Sequence, residues 1–288
     1  MLIRATMMPT LIRELAQGRY VTILTYHNIK PQQAQKHFNA LKSRYNIIPL
    51  RDYIQARRDG TLKGLPRKSL VITIDDGYKD NYLLRDVIES LGVPVTISLA
   101  SSIVGTHRHF WFKHAEGKLD PKSLERVPDE ERLSRLEEFG YTDTTEFENR
   151  VALSAEEIEE LKPLVDFQSH AATHPILPTC DDNKAAYEIR QSKIDLETRY
   201  GLDIYSLCYP NGDYSLRDIE LLKEAGYECG LTIDTGFNSA STDPFRLKRI
   251  CVSDIADVNQ LIVTACGIWQ VLRNWVKRPT YGFMDKSS

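Results

Sequence analysis

Short apolar segments alternate with helical segments along most of this 288-residue chain. Seven segments have the length and composition of buried strands, at residues 20–25, 70–75, 93–100, 165–169, 204–209, 229–233 and 249–253. The segment at 70–75 (LVITID) is an almost continuous apolar run, which is typical of a parallel strand covered on both faces. Alternating strands and helices predict an α/β fold in which right-handed crossovers join the strands of a parallel sheet or barrel.

The helices between these strands have start and stop signals. Ser154 and Glu157 form a capping box ahead of an apolar pattern, which predicts a helix beginning there. Another helix is predicted from about residue 183 to residue 200, and Gly201 ends it.

Two segments depart from the alternation within a chain that we expect to be a single domain, residues 1–288. Residues at about 105–151 begin with aromatic and histidine side chains and continue as a charged helix, which predicts an insertion between two core strands. The apolar stretch 261–269 and the basic residues after it predict a C-terminal helix at about 255–278. This helix either closes the core or makes peripheral contact with a membrane surface.

Composition excludes several classes of protein. Hydrophobic residues make up 42% and charged residues 27% of the chain, as in ordinary soluble domains, and a net charge of −3 argues against a nucleic-acid partner. Neither a signal peptide nor a membrane-spanning run is recognisable. The odd number of widely spaced cysteines favours a reducing compartment, and we therefore expect a cytoplasmic protein: Cys180, Cys208, Cys229, Cys251 and Cys266.

Two adjacent carboxylates end the apolar strand at 70–75. Asp75 and Asp76 are followed by Gly77, and the carboxyl ends of parallel strands are where α/β active sites usually form. The alternative interpretation is a pair of solvated turn acids that favour the start of the next helix.

A pair of histidines follows the strand at 165–169. His170 and His174 have a spacing that allows both imidazoles to bind one metal ion. Two histidines and one carboxylate leave coordination positions open for water and substrate, as catalytic metal sites require. The alternative is two unrelated surface or core histidines.

A third motif follows the strand at 204–209. Tyr209, Pro210, Asn211 and Gly212 form a sequence that favours a tight turn, in which the backbone N–H of Asn211 can point inward. Without the other two motifs this would be an ordinary strand-to-helix turn.

Together, and in this order, the three motifs resemble the polysaccharide deacetylase family (carbohydrate esterase family 4). The family motif T-F-D-D-G stands here as TIDDG at 73–77, H-S/T-x-x-H as HAATH at 170–174, and Y-P-x-G as YPNG at 209–212. The resemblance extends from TYHNI near Tyr26 to RLKRI near Ile250. These flanking segments and the insertion resemble the subgroup associated with surface-polysaccharide gene clusters.

The resemblance implies a distorted (β/α) barrel of about seven parallel strands. It also implies a metal-dependent hydrolase that removes acetyl groups from the N-acetylated sugars of a polysaccharide, an oligosaccharide or a glycan precursor. Asp76, His170 and His174 would bind one divalent metal, with Zn²⁺ as the default. Asp75 would be the general base, and the backbone N–H of Asn211 would help to hold the oxyanion.

The chain departs from the better-known members at the groups around the base. Cys208 stands where their third motif begins with an arginine. Their later Asp-x-x-Asp-Trp motif is matched here by Asp234 alone. Their Leu-x-x-His motif is matched by residues 247–250, which contain no histidine. The usual general acid is therefore missing. His27, which follows the first strand, is our substitute candidate, the alternative being a histidine that caps a turn. Arg249 can orient Asp75, or it can form a structural ion pair.

Further residues are expected beside the mouth of the barrel. The candidate substrate-binding residues are Tyr209, Pro210, Trp111 and Arg249. The aromatic residues 110–112, with His107, His109 and His114 nearby, form either a sugar-stacking wall or the packing of the insertion.

Three rival functions remain compatible with these motifs. A catalytically impaired glycan-binding domain would explain the missing acid and arginine. An O-acetyl esterase would use the same site on an ester. A non-haem iron oxygenase also uses two histidines and a carboxylate, but it predicts a double-stranded β-helix and gives no role to Asp75.

Overall fold

Parallel strands form one curved sheet in the computed structural model, which describes residues 8–268. In that range the strands are β1 (Thr22–Tyr26), β2 (Asn46–Ile47), β3 (Ser69–Ile74), β4 (Val95–Leu99), β5 (Val165–Ser169), β6 (Ser206–Cys208), β7 (Cys229–Leu231) and β8 (Ile250–Cys251). Seven of them follow the order β7-β6-β5-β4-β3-β1-β8, and β2 pairs with the start of β3. The predicted α/β fold with about seven parallel strands is confirmed.

The sheet curls until its two ends approach each other. Leu231 at the end of β7 forms a parallel bridge with Leu247, which lies just before β8. The backbone N–H of Leu247 donates to Gly230 O, and that of Thr232 donates to Leu247 O, both at 2.9 Å. The segment between Leu247 and β8 thus joins β7 to β1, and the strands form a distorted barrel.

Helices surround the sheet. In the described range they are α1 (Met8–Leu11), α2 (Pro31–Lys42), α3 (Leu50–Arg58), α4 (Arg85–Leu91), α5 (Trp111–Ala115), α6 (Pro121–Leu124), α7 (Asp129–Glu137), α8 (Ala155–Leu161), α9 (Asp182–Tyr200), α10 (Leu216–Glu224) and α11 (Val258–Ala265). The capping box of Ser154 and Glu157 opens α8, as predicted. Gly201 ends α9 with a φ of 60°, a conformation that glycine adopts without steric cost.

The seven predicted strands lie within two residues of the observed ones at every end. The burial of β3 and β4 is complete, which explains their continuous apolar sequences. The sequence prediction omitted β2, which has only two residues, and the helices α2 and α3 on either side of it.

The segment at 105–151 contains α5, α6 and α7 between β4 and β5. An antiparallel bridge between Arg108 and Glu146 joins its two ends. Its helices have an apolar cluster of their own, separate from the core around the sheet, which includes Trp111, Leu124, Leu136 and Tyr141.

The last described helix, α11, packs against α2 and buries Leu261 and Ala265 completely. The side-chain amide of Gln17 donates to Ala265 O at 2.7 Å. The helix was predicted at about 255–278, but α11 begins at Val258 and ends at Ala265, and Gly267 follows it with a φ of 68°. Residues 269–278, and with them most of the stretch predicted to contact a membrane, lie outside the described residues. Within residues 8–268, every helix is too short or too polar to reach across a bilayer.

Candidate active site

Asp76, His170 and His174 come together at the carboxyl end of the sheet. The Oδ1 atom of Asp76 lies 3.4 Å from His170 Nε2 and 3.2 Å from His174 Nε2. One ligand atom from each residue lies within 4.8 Å of the others, and all three residues are buried. Two imidazole nitrogens and one carboxylate oxygen are a donor set that suits a catalytic divalent metal ion, so the residues present fit the predicted group.

The orientation of one histidine is fixed from the next strand. His170 Nδ1 donates to the backbone oxygen of Cys208 at 2.8 Å, which leaves Nε2 as the free nitrogen that faces Asp76. His174 Nδ1 is buried and has no hydrogen-bond partner. Burial lowers the pKa of His174 and favours the neutral imidazole that metal ligation needs.

The backbone at these motifs is in an uncommon conformation. Five non-glycine residues among those described have positive φ, and four of them belong to the three motifs: Asp76 (73°), Ala171 (62°), His174 (63°) and Asn211 (61°). Such conformations cost free energy and concentrate at functional sites. Here they turn the chain sharply as it leaves the buried strands, so that polar side chains point into one mouth.

Asp75 is held by a buried arginine. Arg249 donates through Nη1 to Asp75 Oδ1 and through Nη2 to Asp75 Oδ2, both at 2.8 Å. Burial alone would raise the pKa of Asp75, but the charge of the Arg249 guanidinium and its hydrogen bonds outweigh burial and hold that pKa at about 2. Asp75 is therefore an ionised carboxylate with one fixed orientation.

Arg249 is itself fixed by the ends of the barrel strands. Its Nε donates to Thr232 O at 2.8 Å, and Nη1 also donates to the hydroxyls of Thr25 and Thr73 at 3.1 and 3.2 Å. Cys208, at the position where the resemblance places an arginine, has its Sγ 3.5 Å from Nη1. Arg249, which directly precedes β8, thus supplies the cation that the third motif lacks.

A cavity of about 550 Å³ opens over these residues. Its walls bring together side chains from the strand ends and the insertion: His27, Asp75, Asp76, Tyr78, Trp111, Phe112, Glu116, Asp120, Pro121, Lys122, Glu125, His170, His174, Tyr209, Asn211, Gly212, Ile233 and Cys251. Two predicted substrate-binding residues lie behind this surface: Pro210 is buried within the turn, and Arg249 is fully buried behind Asp75.

His27 lies directly after β1 and is exposed in this cavity. Its backbone N–H donates to Asp254 Oδ1 at 3.2 Å, and its backbone oxygen accepts from Asn81 Nδ2 at 3.0 Å. Asn211 lines the cavity from the turn after β6. A Cβ on the neighbouring Gly212 would lie 2.2 Å from Ile233 Cγ1, so this turn requires glycine.

The aromatic residues of the insertion pack against the loop that carries the histidines. Trp111 is 4% exposed, and its indole N–H donates to His174 O at 3.0 Å. The rings of Phe110 and Phe112 lie 5.7 and 5.1 Å from the His174 ring. Trp111 and Phe112 therefore pack against the histidine loop, as the packing interpretation predicts, and they also line the cavity.

The remaining histidines of the insertion bind its own backbone. A ring nitrogen of His107 lies 3.1 Å from Phe147 O, one of His109 lies 2.7 Å from Asn149 O, and one of His114 lies 2.9 Å from Phe139 O.

Sequence analysis missed several residues of the site. Tyr78 follows the first motif directly, so its position was a usable signal. The acids Glu116, Asp120 and Glu125 come from short helices with no link to a motif. Glu188 was detectable, because it falls on the same face of α9 as the buried Ala185 and Ser192.

Residues 63–230 match the sequence profile of a family described as polysaccharide deacetylase. Among curated proteins, the chain is 21% identical over 237 residues to the poly-beta-1,6-N-acetyl-D-glucosamine N-deacetylase of Escherichia coli K12, covering 76% of this chain and 34% of that protein. It is also 21% identical over 187 residues to the putative polysaccharide deacetylase YxkH of Bacillus subtilis 168, covering 65% of this chain and 52% of that protein. The chain spans a third to a half of the length of these relatives.

Solved structures share the fold at low identity. The Streptococcus pyogenes deacetylase PplD in complex with acetate superposes with a TM-score of 0.64 at 18% identity, covering 85% of this chain and 98% of that one. IcaB from Ammonifex degensii gives a TM-score of 0.64 at 18% identity, covering 87% of this chain and 98% of that one. Because the family profile matches more than half of its length, this chain belongs to the polysaccharide deacetylase family.

Proposed function

We propose that this chain is a metal-dependent hydrolase that removes acetyl groups from N-acetylated sugars of a polysaccharide, an oligosaccharide or a glycan precursor. The observation that carries the proposal is the ionised, arginine-held carboxylate of Asp75 beside the buried group of Asp76, His170 and His174. Family membership supports it, as does the printed name of the Escherichia coli relative.

Asp76, His170 and His174 are the residues that would hold one divalent ion. Zn²⁺ is the default for two imidazoles and a carboxylate in a hydrolytic site. A bound ion of this kind polarises the acetyl carbonyl and lowers the pKa of water.

Groups of the protein carry out the proton transfers and stabilise the developing negative charge. Asp75, kept ionised by Arg249, accepts a proton from the attacking water as general base. The backbone N–H of Asn211 donates to the oxygen on which negative charge develops. His27 donates a proton to the leaving amine, which cannot depart as an anion at neutral pH. Arg249 acts through Asp75 and does not touch the sugar.

The sugar would lie against the aromatic part of the cavity. Tyr209, Trp111 and Phe112 line the space beside the metal ligands, and Pro210 fixes the turn that presents Asn211. The hypothesis of an impaired glycan-binding domain depended partly on the missing arginine. The two bonds from Arg249 to Asp75 support the hydrolase over a binding domain, because they orient the carboxylate without that arginine.

We also propose that the protein works in a reducing compartment, on the cytosolic side. All five cysteines are free, and four of them are buried. Persistent disulfides are typical of oxidising compartments. Cell fractionation tests this, and recovery of a disulfide-bonded form from a secreted or periplasmic fraction would contradict it.

The decisive test is acetate release from N-acetylglucosamine oligomers by the purified protein. We expect release that stops on chelation and returns with Zn²⁺, and His170→Ala should lose both bound metal and activity. His107→Ala, a histidine bound only to insertion backbone, is the matched control and should keep both.

Release that survives chelation, or a His170→Ala protein with one equivalent of metal still bound, would contradict the assignment. An O-acetylated oligomer in a parallel assay separates the esterase alternative from the amidase.

A further inference from the structure

The loop between the two histidines is held from behind by a buried carboxylate. Glu188 lies on α9 and is completely buried. Its Oε2 accepts from the backbone N–H groups of Ala172 and Thr173 at 2.9 and 2.8 Å, and its Oε1 accepts from the Thr173 hydroxyl at 2.7 Å. Ser192, one turn further along α9, donates to Ala171 O at 2.9 Å.

This loop needs an external acceptor. Left-handed residues at Ala171 and His174 take it out of the sheet, so the N–H groups between them have no strand partner. Leaving a buried N–H unpaired costs about 1–3 kcal/mol. A carboxylate that accepts two of them gives strong, charge-assisted bonds and allows one loop geometry.

The carboxylate is in turn connected to the insertion. Lys184 Nζ lies 3.0 Å from Glu188 Oε1 and 2.7 Å from Asp143 Oδ2, which belongs to the insertion. The cation compensates the buried charge of Glu188, which would otherwise be costly.

We propose that Glu188 is a positioning residue of the metal centre, which sets the distance between His170 and His174 by holding two of the peptide groups between them. The inference rests on the proposed function, because it assumes that those histidines bind an ion. A purely structural Glu188 would affect stability and leave the metal site unchanged.

Three substitutions separate these roles. Glu188→Gln keeps one oxygen that can accept both backbone N–H groups but removes the charge that faces Lys184. Glu188→Asp keeps the charge but withdraws both oxygens by one carbon–carbon bond. Glu188→Ala removes both the accepting oxygens and the charge. Glu197→Ala is the matched control, because Glu197 lies on the same helix and pairs at i,i+4 with Lys193, as Glu188 does with Lys184.

The readouts are Zn²⁺ affinity by chelator competition and the visible spectrum of the Co²⁺-loaded protein, with thermal unfolding of the metal-free form measured separately. We expect Glu188→Ala and Glu188→Asp to lose about 10–100-fold in affinity, as is usual when groups that orient metal ligands are removed. Both should also alter the Co²⁺ spectrum. Glu188→Gln and Glu197→Ala should stay within a few-fold of the wild type.

A folded Glu188→Ala protein with wild-type affinity and spectrum would overturn the positioning role. If Glu188→Ala does not fold, the Gln and Asp variants decide the question. A Glu188→Gln protein that binds Zn²⁺ less tightly than Glu188→Asp would then overturn the positioning role. A wild-type protein that binds neither ion would instead overturn the proposed function.

Discussion

Asp75 and Arg249 are 174 residues apart in the chain, yet they form the most enclosed ion pair at the site. Removing both charges from water costs several kcal/mol per ion, and the pair repays this only when its geometry is good and its other polar atoms are bonded. Four further contacts of the guanidinium, to Thr25, Thr73, Thr232 and Cys208, meet that condition. Arg249, which lies just before β8, thus provides a cation beside Asp75 although the third motif has Cys208 in place of an arginine.

Substitution of the two aspartates separates base from ligand. Asp75→Asn should keep the metal and lower kcat by about 10²–10⁴-fold, the usual range for general acid–base assistance. Asp76→Asn should lose metal, since it removes the carboxylate that joins the two histidines. Metal analysis and initial rates on both variants check this. The opposite pattern, with metal lost from Asp75→Asn and kept in Asp76→Asn, would reverse the two roles.

His27 is tested by the pH profile of kcat. A separate proton donor gives a descending limb on the alkaline side, where the donor has lost its proton. We expect His27→Gln to lower kcat and to remove or displace that limb. An unchanged kcat with an unchanged limb would exclude His27 and leave Asp75 with both proton transfers.

Among the elements, the strands and the turns after them were the predictable part. Their apolar composition and their Pro, Gly and His residues are local signals, so β5 was placed correctly at both ends and the three motifs fell at strand ends. The two-residue β2 gives no such signal. The role of Arg249 was left open between orienting Asp75 and forming a structural ion pair. Its bonds to Thr25 and Thr73 depend on the order of β8, β1 and β3 in the sheet, which local sequence does not give. The acids of the insertion depend on how short helices pack, which local pattern does not specify.

The first motif ends at Gly77, which has a φ of 67° and lies against the buried Leu99. A Cβ there would lie 2.5 Å from Leu99 Cδ2. We expect Gly77→Ala to lower the free energy of unfolding by about 2–5 kcal/mol, from left-handed strain and overpacking together, and to abolish activity by displacing Asp75 and Asp76.

Gly117→Ala is the control for backbone strain alone. Gly117 has a φ of 77° and open space around its Cβ position, so only about 1–2 kcal/mol should be lost and activity should remain. Urea unfolding and acetate release compare the two. Equal losses of stability in both variants would show that the contact with Leu99 is relieved at no cost.

At the scale of the whole molecule, stability comes from burial around one curved sheet. The largest core cluster extends from β1 and β3 through β4 and β5 to α9 and α10. A second cluster joins residues of β1, β3 and β7 to α3, and the insertion adds a third, smaller cluster. Trp111 belongs to this smaller cluster and bonds to His174 O, so the insertion supports the loop of the histidines as well as enclosing the cavity.

All five cysteines are free, so no covalent link restricts the unfolded chain. We therefore expect the same Tm with and without a reducing agent, measured by differential scanning calorimetry. A Tm that drops by several degrees on reduction would mean that a stabilising disulfide forms in solution.

The closure of the barrel has a consequence for the protein during its synthesis. Asp76, His170 and His174 leave the ribosome well before Leu247 and Arg249, which lie on the segment that joins β7 to β1. A nascent chain folded as far as β7 therefore has the residues for metal uptake but lacks the cation that orients Asp75. We infer that the Asp75–Arg249 ion pair forms only when the segment before β8 has docked, whereas Asp76, His170 and His174 can come together without that segment.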